Sequence, residues 1–318
     1  MFKQAKLALA ALVVVGAAAA PALASPLYIN TGSDFNFEPN GSTTTAVFDQ
    51  LGYSGTLATS IYLGNPATPG TTVVDTNIPS IMSFYGFSAG SKTAIDGSTP
   101  LSFSFPNIPS QNNIDTLNNP SAPDLNGFTG GEAFPQYGAG AIGGLGGAWG
   151  LTYAYQIVGT TVDKDGDGVS DTVEYNTGVF SLYYQSAATD PNNNKEVLRL
   201  VVESSEVTDA NLYIKGVVDY SYAAGDSFIQ NFFNSGEGLG SLYSNWLNNP
   251  ISVSWILDTN VDPPLATPSQ LWNSGSALIR QSGLDGSVTL NVPEPGSLAL
   301  VGLALAGLGF AQRRRSVK

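Results

Sequence analysis

The 318-residue sequence contains no cysteine and no histidine, and each absence excludes chemistry. Without Cys there is no disulfide framework and no thiolate nucleophile, so stability has to come from a packed core. Without His there is no Ser-His-Asp arrangement and no imidazole base, and a zinc centre would lack its usual ligands. Any bound metal is expected to be a hard cation held by oxygen. Cations are scarce as well: twelve Lys and Arg face twenty-five Asp and Glu, for a formal net charge of −13. Lys3, Lys6, Arg313, Arg314, Arg315 and Lys318 lie near the two ends, so residues 25–291 hold six cations against twenty-four acids, about −18. A body of that sign repels polyanions and attracts divalent cations, which excludes a nucleic-acid partner.

Both ends are apolar and flanked by cations. Lys3 and Lys6 precede an apolar run from Leu7 to Ala20, and Ala22-Leu23-Ala24 supplies the small-residue pattern of a signal-peptidase site. Cleavage after Ala24 makes Ser25 the mature N-terminus. A retained transmembrane helix is the weaker alternative, because the run is short and ends at Pro21. At the other end Pro293-Glu294-Pro295 leads into an uncharged stretch, Ser297 to Ala311, closed by Arg313-Arg314-Arg315. As a helix that stretch spans roughly 22 Å against a hydrocarbon thickness of about 30 Å, which suits a transient inner-membrane anchor with its arginines on the cytoplasmic side. An ordinary C-terminal anchor is the alternative; it is usually longer and has no need of Pro-Glu-Pro.

The order Pro-Glu-Pro, apolar helix, Arg cluster over 292–318 resembles the PEP-CTERM sorting tail of exported Gram-negative proteins. That resemblance implies recognition and cutting by an exosortase, a membrane cysteine transpeptidase, in bacteria that also make exopolysaccharide. The body is similar to flocculation-associated PEP-CTERM proteins in Phe48-Asp49-Gln50-Leu51-Gly52-Tyr53 and Gly55-Thr56-Leu57-Ala58-Thr59.

Between the processing sites, residues 25–291 are long enough for a sizeable core. Alternating apolar positions predict strands: Leu101, Phe103 and Phe105; Leu151, Tyr153, Tyr155 and Ile157; Phe180, Leu182 and Tyr184; Leu198, Leu200 and Val202; Ile251, Val253, Trp255 and Leu257. Asp190-Pro191-Asn192-Asn193-Asn194 reads as a hairpin loop. Asp226 is placed to cap a short helix carrying Phe228, Ile229, Phe232 and Phe233, and Leu239, Leu242, Tyr243, Trp246 and Leu247 form a second apolar pattern. The expected fold is mainly β, a sandwich or jelly-roll-like ectodomain with a few short helices. One continuous domain is favoured, with a split near 127–150 as the alternative. Gly138-Ala139-Gly140-Ala141-Ile142-Gly143 has dinucleotide-motif spacing but follows Phe134-Pro135-Gln136 with no βαβ unit around it, so a glycine-rich loop is the better account.

The strongest chemical motif is Asp163-Lys164-Asp165-Gly166-Asp167-Gly168-Val169-Ser170-Asp171-Thr172-Val173-Glu174. It matches the twelve-residue EF-hand calcium loop, with carboxylates at the first, third, fifth, ninth and twelfth places and Gly at the sixth. Ca2+ needs six to eight oxygens gathered by a loop that wraps it. Asp163, Asp165 and Asp167 would each supply one, Val169 its carbonyl, Asp171 a water-mediated contact and Glu174 two. The flanks read as strands in place of helices, which points to a structural ion and not a sensor. The competing reading is a solvated acidic turn.

A glycosidase needs only two placed carboxylates, but no pair is singled out, so no enzymatic activity is expected. A carbohydrate-binding module is the alternative, given four Trp and fourteen Tyr. The sequence therefore points to an exported, calcium-stabilised surface or matrix protein with a structural or adhesive role, and the resemblance of its tail implies biofilm or floc formation. Its expected partners are signal peptidase and exosortase during export, then extracellular polysaccharide or further copies of itself.

Overall fold

The computed structural model describes residues 25–32, 43–45, 47–106, 113–114, 116–118, 149–186, 190–208, 211–248, 253–260 and 265–292. The leader over 1–24, the tail from Pro293 onward and the glycine-rich tract over 127–148 lie outside them. In chain order the strands are β1 (Leu27–Ile29), β2 (Gln50–Tyr62), β3 (Thr72–Thr76), β4 (Gly90–Thr93), β5 (Pro100–Phe103), β6 (Asn113–Ile114), β7 (Thr116–Asn118), β8 (Gly150–Val162), β9 (Thr172–Gln185), β10 (Glu196–Thr208), β11 (Asn211–Val218), β12 (Phe233–Ser235), β13 (Ser254–Asn260), β14 (Trp272–Asn273) and β15 (Leu278–Asn291).

Eight of these strands pair in a closed antiparallel circuit, β2-β3-β8-β9-β10-β11-β13-β15 and back to β2. The closing strand β15 pairs with β13 from Gly286 to Asn291 and with β2 from Leu278 to Thr289. The mainly β expectation holds, with the difference that the half-apolar strands surround one ring of pairings and are not divided between two separate sheets. Long strands favour this arrangement, because a twisted sheet this wide can remove its exposed edges by coiling onto itself. Register shifts at Val158/Gly159, Val202/Ser204 and Leu284/Gly286 supply the local bends. The place between β2 and β8 is shared: β3 fills it near Ile61 and Val158, and β6 with β7 fill it near Leu51 and Leu151. Strands from both sides of the 127–150 stretch thus pair in one sheet.

The period-2 readings locate the inner face. Leu151, Tyr153, Tyr155, Ile157, Phe180, Leu182, Tyr184, Leu198, Leu200, Val202, Val253, Trp255 and Leu257 are all buried in the main core. Ile251 lies outside the described residues. Leu101 and Phe103 belong instead to the β4–β5 hairpin, and Phe105 follows it at 38% exposure. That hairpin and the helix Pro79–Phe84 cover the outer face of the barrel, where Ile61, Val74 and Ile279 meet Met82, Phe87 and Phe103 in a second core.

Antiparallel alternation defines two poles. At one pole lie the β8–β9 and β10–β11 turns and the start of β15; at the other lie the β9–β10 turn, the start of β2 and the end of β15. The second pole is plugged by aromatics, with Tyr184 against Phe228 and Phe232 at ring separations of 5.1 and 5.6 Å and Trp149 against Tyr184 at 6.0 Å. Asp226 caps the helix Ser227–Gln230 as expected, accepting from the amides of Phe228 and Ile229. The helix stops there. Phe232 follows it, and Phe233 starts β12, which pairs with β1. The second helix, Leu242–Asn248, buries Leu242, but Leu247 is 58% exposed. The Asp190–Asn194 turn forms as expected, with Asn193 N donating to Asp190 O and Asn194 at φ 63°.

One close approach in this barrel is decided by a missing side chain. Gly216 on β11 stands opposite Trp255, whose Nε1 donates to the carbonyls of Val201 and Val217 at 3.1 and 3.2 Å. A Cβ at Gly216 would lie 1.8 Å from Val201 O and 2.9 Å from Trp255 Nε1. Gly216→Ala is therefore expected to cost about 1–3 kcal/mol by overpacking. A denaturant midpoint unchanged from wild type would contradict this packing.

Candidate functional site

The loop 163–171 joins β8 to β9 at the pole opposite the aromatic plug, closed by Asp171 N donating to Val162 O at 2.9 Å. Its carboxylates are held by its own amides. Asp163 Oδ1 accepts from Gly166 N at 2.6 Å and its Oδ2 from Gly168 N at 2.8 Å. Asp165 Oδ1 accepts from Asp167 N, Asp167 Oδ1 from Val169 N, and Asp171 Oδ2 from Lys164 N. Gly166 and Gly168 supply the turn at φ 82° and 90°, a region in which a Cβ would be strained. The amides of Gly168 and Gly166 hold the Asp163 carboxyl below the usual carboxylate range. Ser170 N donates to Ala67 O at 3.0 Å, which ties the loop to the barrel.

Carboxylate oxygens of Asp163, Asp165 and Asp171 come within 4.8 Å of one another. Asp167 and Glu174 stand outside that group. Glu174 lies in β9 and forms an ion pair with Lys164, while Val169 is exposed. Three carboxylates this close together fit part of the oxygen shell of a hard divalent cation. Glu174, the twelfth position of the loop pattern, is instead paired with Lys164.

The barrel interior holds a polar group that strand alternation alone does not reveal. Asp75 points inward from β3, where its Oδ2 accepts from Ser60 Oγ at 2.5 Å and from Tyr175 OH at 3.4 Å, and its Oδ1 accepts from Tyr155 OH at 2.5 Å. Arg280, 5% exposed, lines the same cavity of about 60 Å³ together with Tyr53, Tyr62 and Tyr153. Burial pushes the Asp75 carboxyl up, against the hydrogen bonds that favour its charge. The Tyr155 and Tyr175 hydroxyls are pushed up by burial first and by Asp75 second. Thr172 Oγ1 is buried beside the cavity with no hydrogen-bond partner, and a space this size has room for roughly four waters. The signal for it in the sequence is a charge set directly after an apolar pair in each of two strands, Val73-Val74-Asp75 and Leu278-Ile279-Arg280.

Of the processing residues, Ser25 alone is described; Ala24, Pro293, Glu294, Pro295, Arg313, Arg314 and Arg315 lie outside the described residues. Ser25 is buried at the plugged pole, its N donating to Leu290 O at 3.0 Å. Its Oγ accepts from Val292 N at 3.0 Å and donates to Val292 O at 3.3 Å. Among the described residues no helix is long and apolar enough to cross a membrane, and the 297–311 segment is not among them.

The family model of the PEP-CTERM protein-sorting motif matches residues 291–315. No curated protein and no solved structure matches the chain. The motif marks this chain as an exported protein, sorted to the cell surface through exosortase-mediated processing.

Proposed function

We propose that this exported protein is a calcium-stabilised, non-catalytic component of an exopolysaccharide-associated matrix, with a structural or adhesive role in biofilm or floc formation. The observation that carries this reading is the proximity of Asp163, Asp165 and Asp171 at the pole opposite the aromatic plug, in a barrel borne by a sorted, strongly acidic chain. A hard divalent ion there would relieve carboxylate repulsion and pin the β8–β9 connection. Its partners in the matrix would be extracellular polysaccharide or a second copy of the chain.

The carbohydrate-binding alternative relies on exposed aromatic platforms. Trp149 and Trp255 are buried, and Trp246 and Trp272 are half-buried, so the Trp side chains serve packing first. A hydrolase reading needs two carboxyls about 5–9.5 Å apart, and Asp75 is the one carboxylate lining the described cavity. Deletion of the gene is expected to disperse cell aggregates, with restoration by the wild-type chain. Normal aggregation of the deletion strain would sink the matrix role. Sugar release by the purified protein would sink the non-catalytic one.

A further inference from the structure

The sorting motif does not begin where the folded body ends. Its first residue, Asn291, is paired with Ser254 in β15, and its second, Val292, is 4% exposed. Pro293 follows with no spacer. The pairing of β15 with β2 stops at Thr289, and beyond it Ser25 takes up the free backbone of β15 through Leu290 O and both polar groups of Val292. Ser25 is itself fixed from behind, since Pro26 O accepts from Gly236 N at 2.7 Å and Leu27 pairs with Ser235. The leader junction and the sorting motif are thus joined by one hydroxyl.

We propose that Ser25 is a latch on the sorting motif, a positioning residue that sets how readily the motif can be drawn from the barrel end into the membrane transpeptidase. The inference rests on the reading of 1–24 as a leader cut after Ala24 and of 291–315 as an exosortase-processed tail. A transpeptidase has to take its substrate in an extended, accessible form, whereas Val292 N–H and C=O are buried and both satisfied by Ser25 Oγ. Removing the hydroxyl strands two buried backbone groups and favours fraying of the end of β15. The same contact orients the molecule: both processing junctions sit at the plugged pole, and the acidic loop sits at the opposite one.

The test compares the wild type, Ser25→Ala and Ser25→Thr, each with and without a flexible Gly-Ser spacer between Val292 and Pro293. Tail loss is followed by pulse-chase in cells that make an exosortase, with intact mass confirming leader removal after Ala24. Ser25→Ala is expected to lose its tail about tenfold faster, the factor corresponding to roughly 1.4 kcal/mol of lost hydrogen bonding. Ser25→Thr, which keeps the hydroxyl, should match wild type, and the spacer should make all three fast and equal. Equal rates for wild type and Ser25→Ala without the spacer overturn the latch. In parallel, hydrogen exchange at the Val292 amide of the purified full chain should speed up in Ser25→Ala and not in Ser25→Thr; equal exchange in all three also overturns it. Tail retention by every variant would refute the sorting reading alone, and the exchange result would still decide the latch.

Discussion

Adding calcium to metal-free protein is expected to raise its melting temperature by about 5–10 °C. A ligand that binds only the folded state at a hundredfold excess over its Kd contributes about 2.7 kcal/mol, and a domain of this size shifts by roughly 2–4 °C per kcal/mol. The oxygen shell starts from Asp163, Asp165 and Asp171, whose carboxylates the loop amides already orient. Asp163→Ala is expected to abolish the shift, since it removes both a convergent carboxylate and the acceptor for Gly166 and Gly168. Lys164 competes with the ion for Glu174, so Lys164→Ala should tighten binding and Glu174→Gln should weaken it. Magnesium should act more weakly, because its small, rigid octahedral shell suits such a loop poorly. The calcium increment should fade as pH falls through the carboxylate range, because the ligands must be deprotonated to hold the ion. A melting temperature indifferent to calcium and to chelator would refute the site.

Asp75→Ala is expected to be the most destabilising single change in the barrel, at about 3–5 kcal/mol, since it leaves buried donors without their acceptor. Ser60, Tyr155 and Tyr175 lose the carboxyl oxygens they bond, and Arg280 loses a nearby acidic partner. Asp75→Asn should cost less, because an amide oxygen still accepts.

The pH dependence separates the two roles of this carboxyl. Burial raises its folded pKa above the unfolded value, so between the two values the folded state holds the extra proton. The contribution of Asp75 to stability is therefore whole below the unfolded pKa near 3.9 and declines as pH rises through the folded pKa. Asp75→Asn should remove that decline. Denaturation midpoints of wild type and Asp75→Asn measured from acid to neutral pH should converge or diverge with pH accordingly. A difference that stays constant over the whole range would show that Asp75 titrates as it does in the unfolded chain.

Much of the fold was legible because strand alternation is a local signal. Tyr153, Tyr155, Phe180, Leu182, Leu198, Leu200 and Trp255 all point inward because side chains two apart share a face, whatever the sheet does later. The Asp226 cap was legible for the same reason, as its bonds reach only two and three residues ahead. Phe233 was misplaced on a helix because its partner in the sheet is Ile29, more than two hundred positions away. The ring itself depends on β2 meeting β15, and alternation says which face is buried but not which strand lies alongside.

The candidate sites divide in the same way. The acidic loop could be read from spacing, since its ligands are contiguous and its turn needs glycines at particular places. That Glu174 stands outside the carboxylate group and pairs with Lys164 is a matter of the β8–β9 register, which sets Glu174 beside Thr160 and leaves the loop beyond. Asp75 and Ser25 looked ordinary in the sequence. One became a buried carboxyl because β3 and the facing walls close around it, and the other became a clasp because chain ends 267 positions apart meet at one pole. What the sequence by itself determined was where the chain is sent, which side chains face inward and where carboxylates crowd, all set by short-range periodicity and spacing. Only the tertiary structure decided that the sheet closes, that one carboxylate is sealed inside it and that the sorting motif is held by the leader junction, since each of these arises from pairing between distant segments.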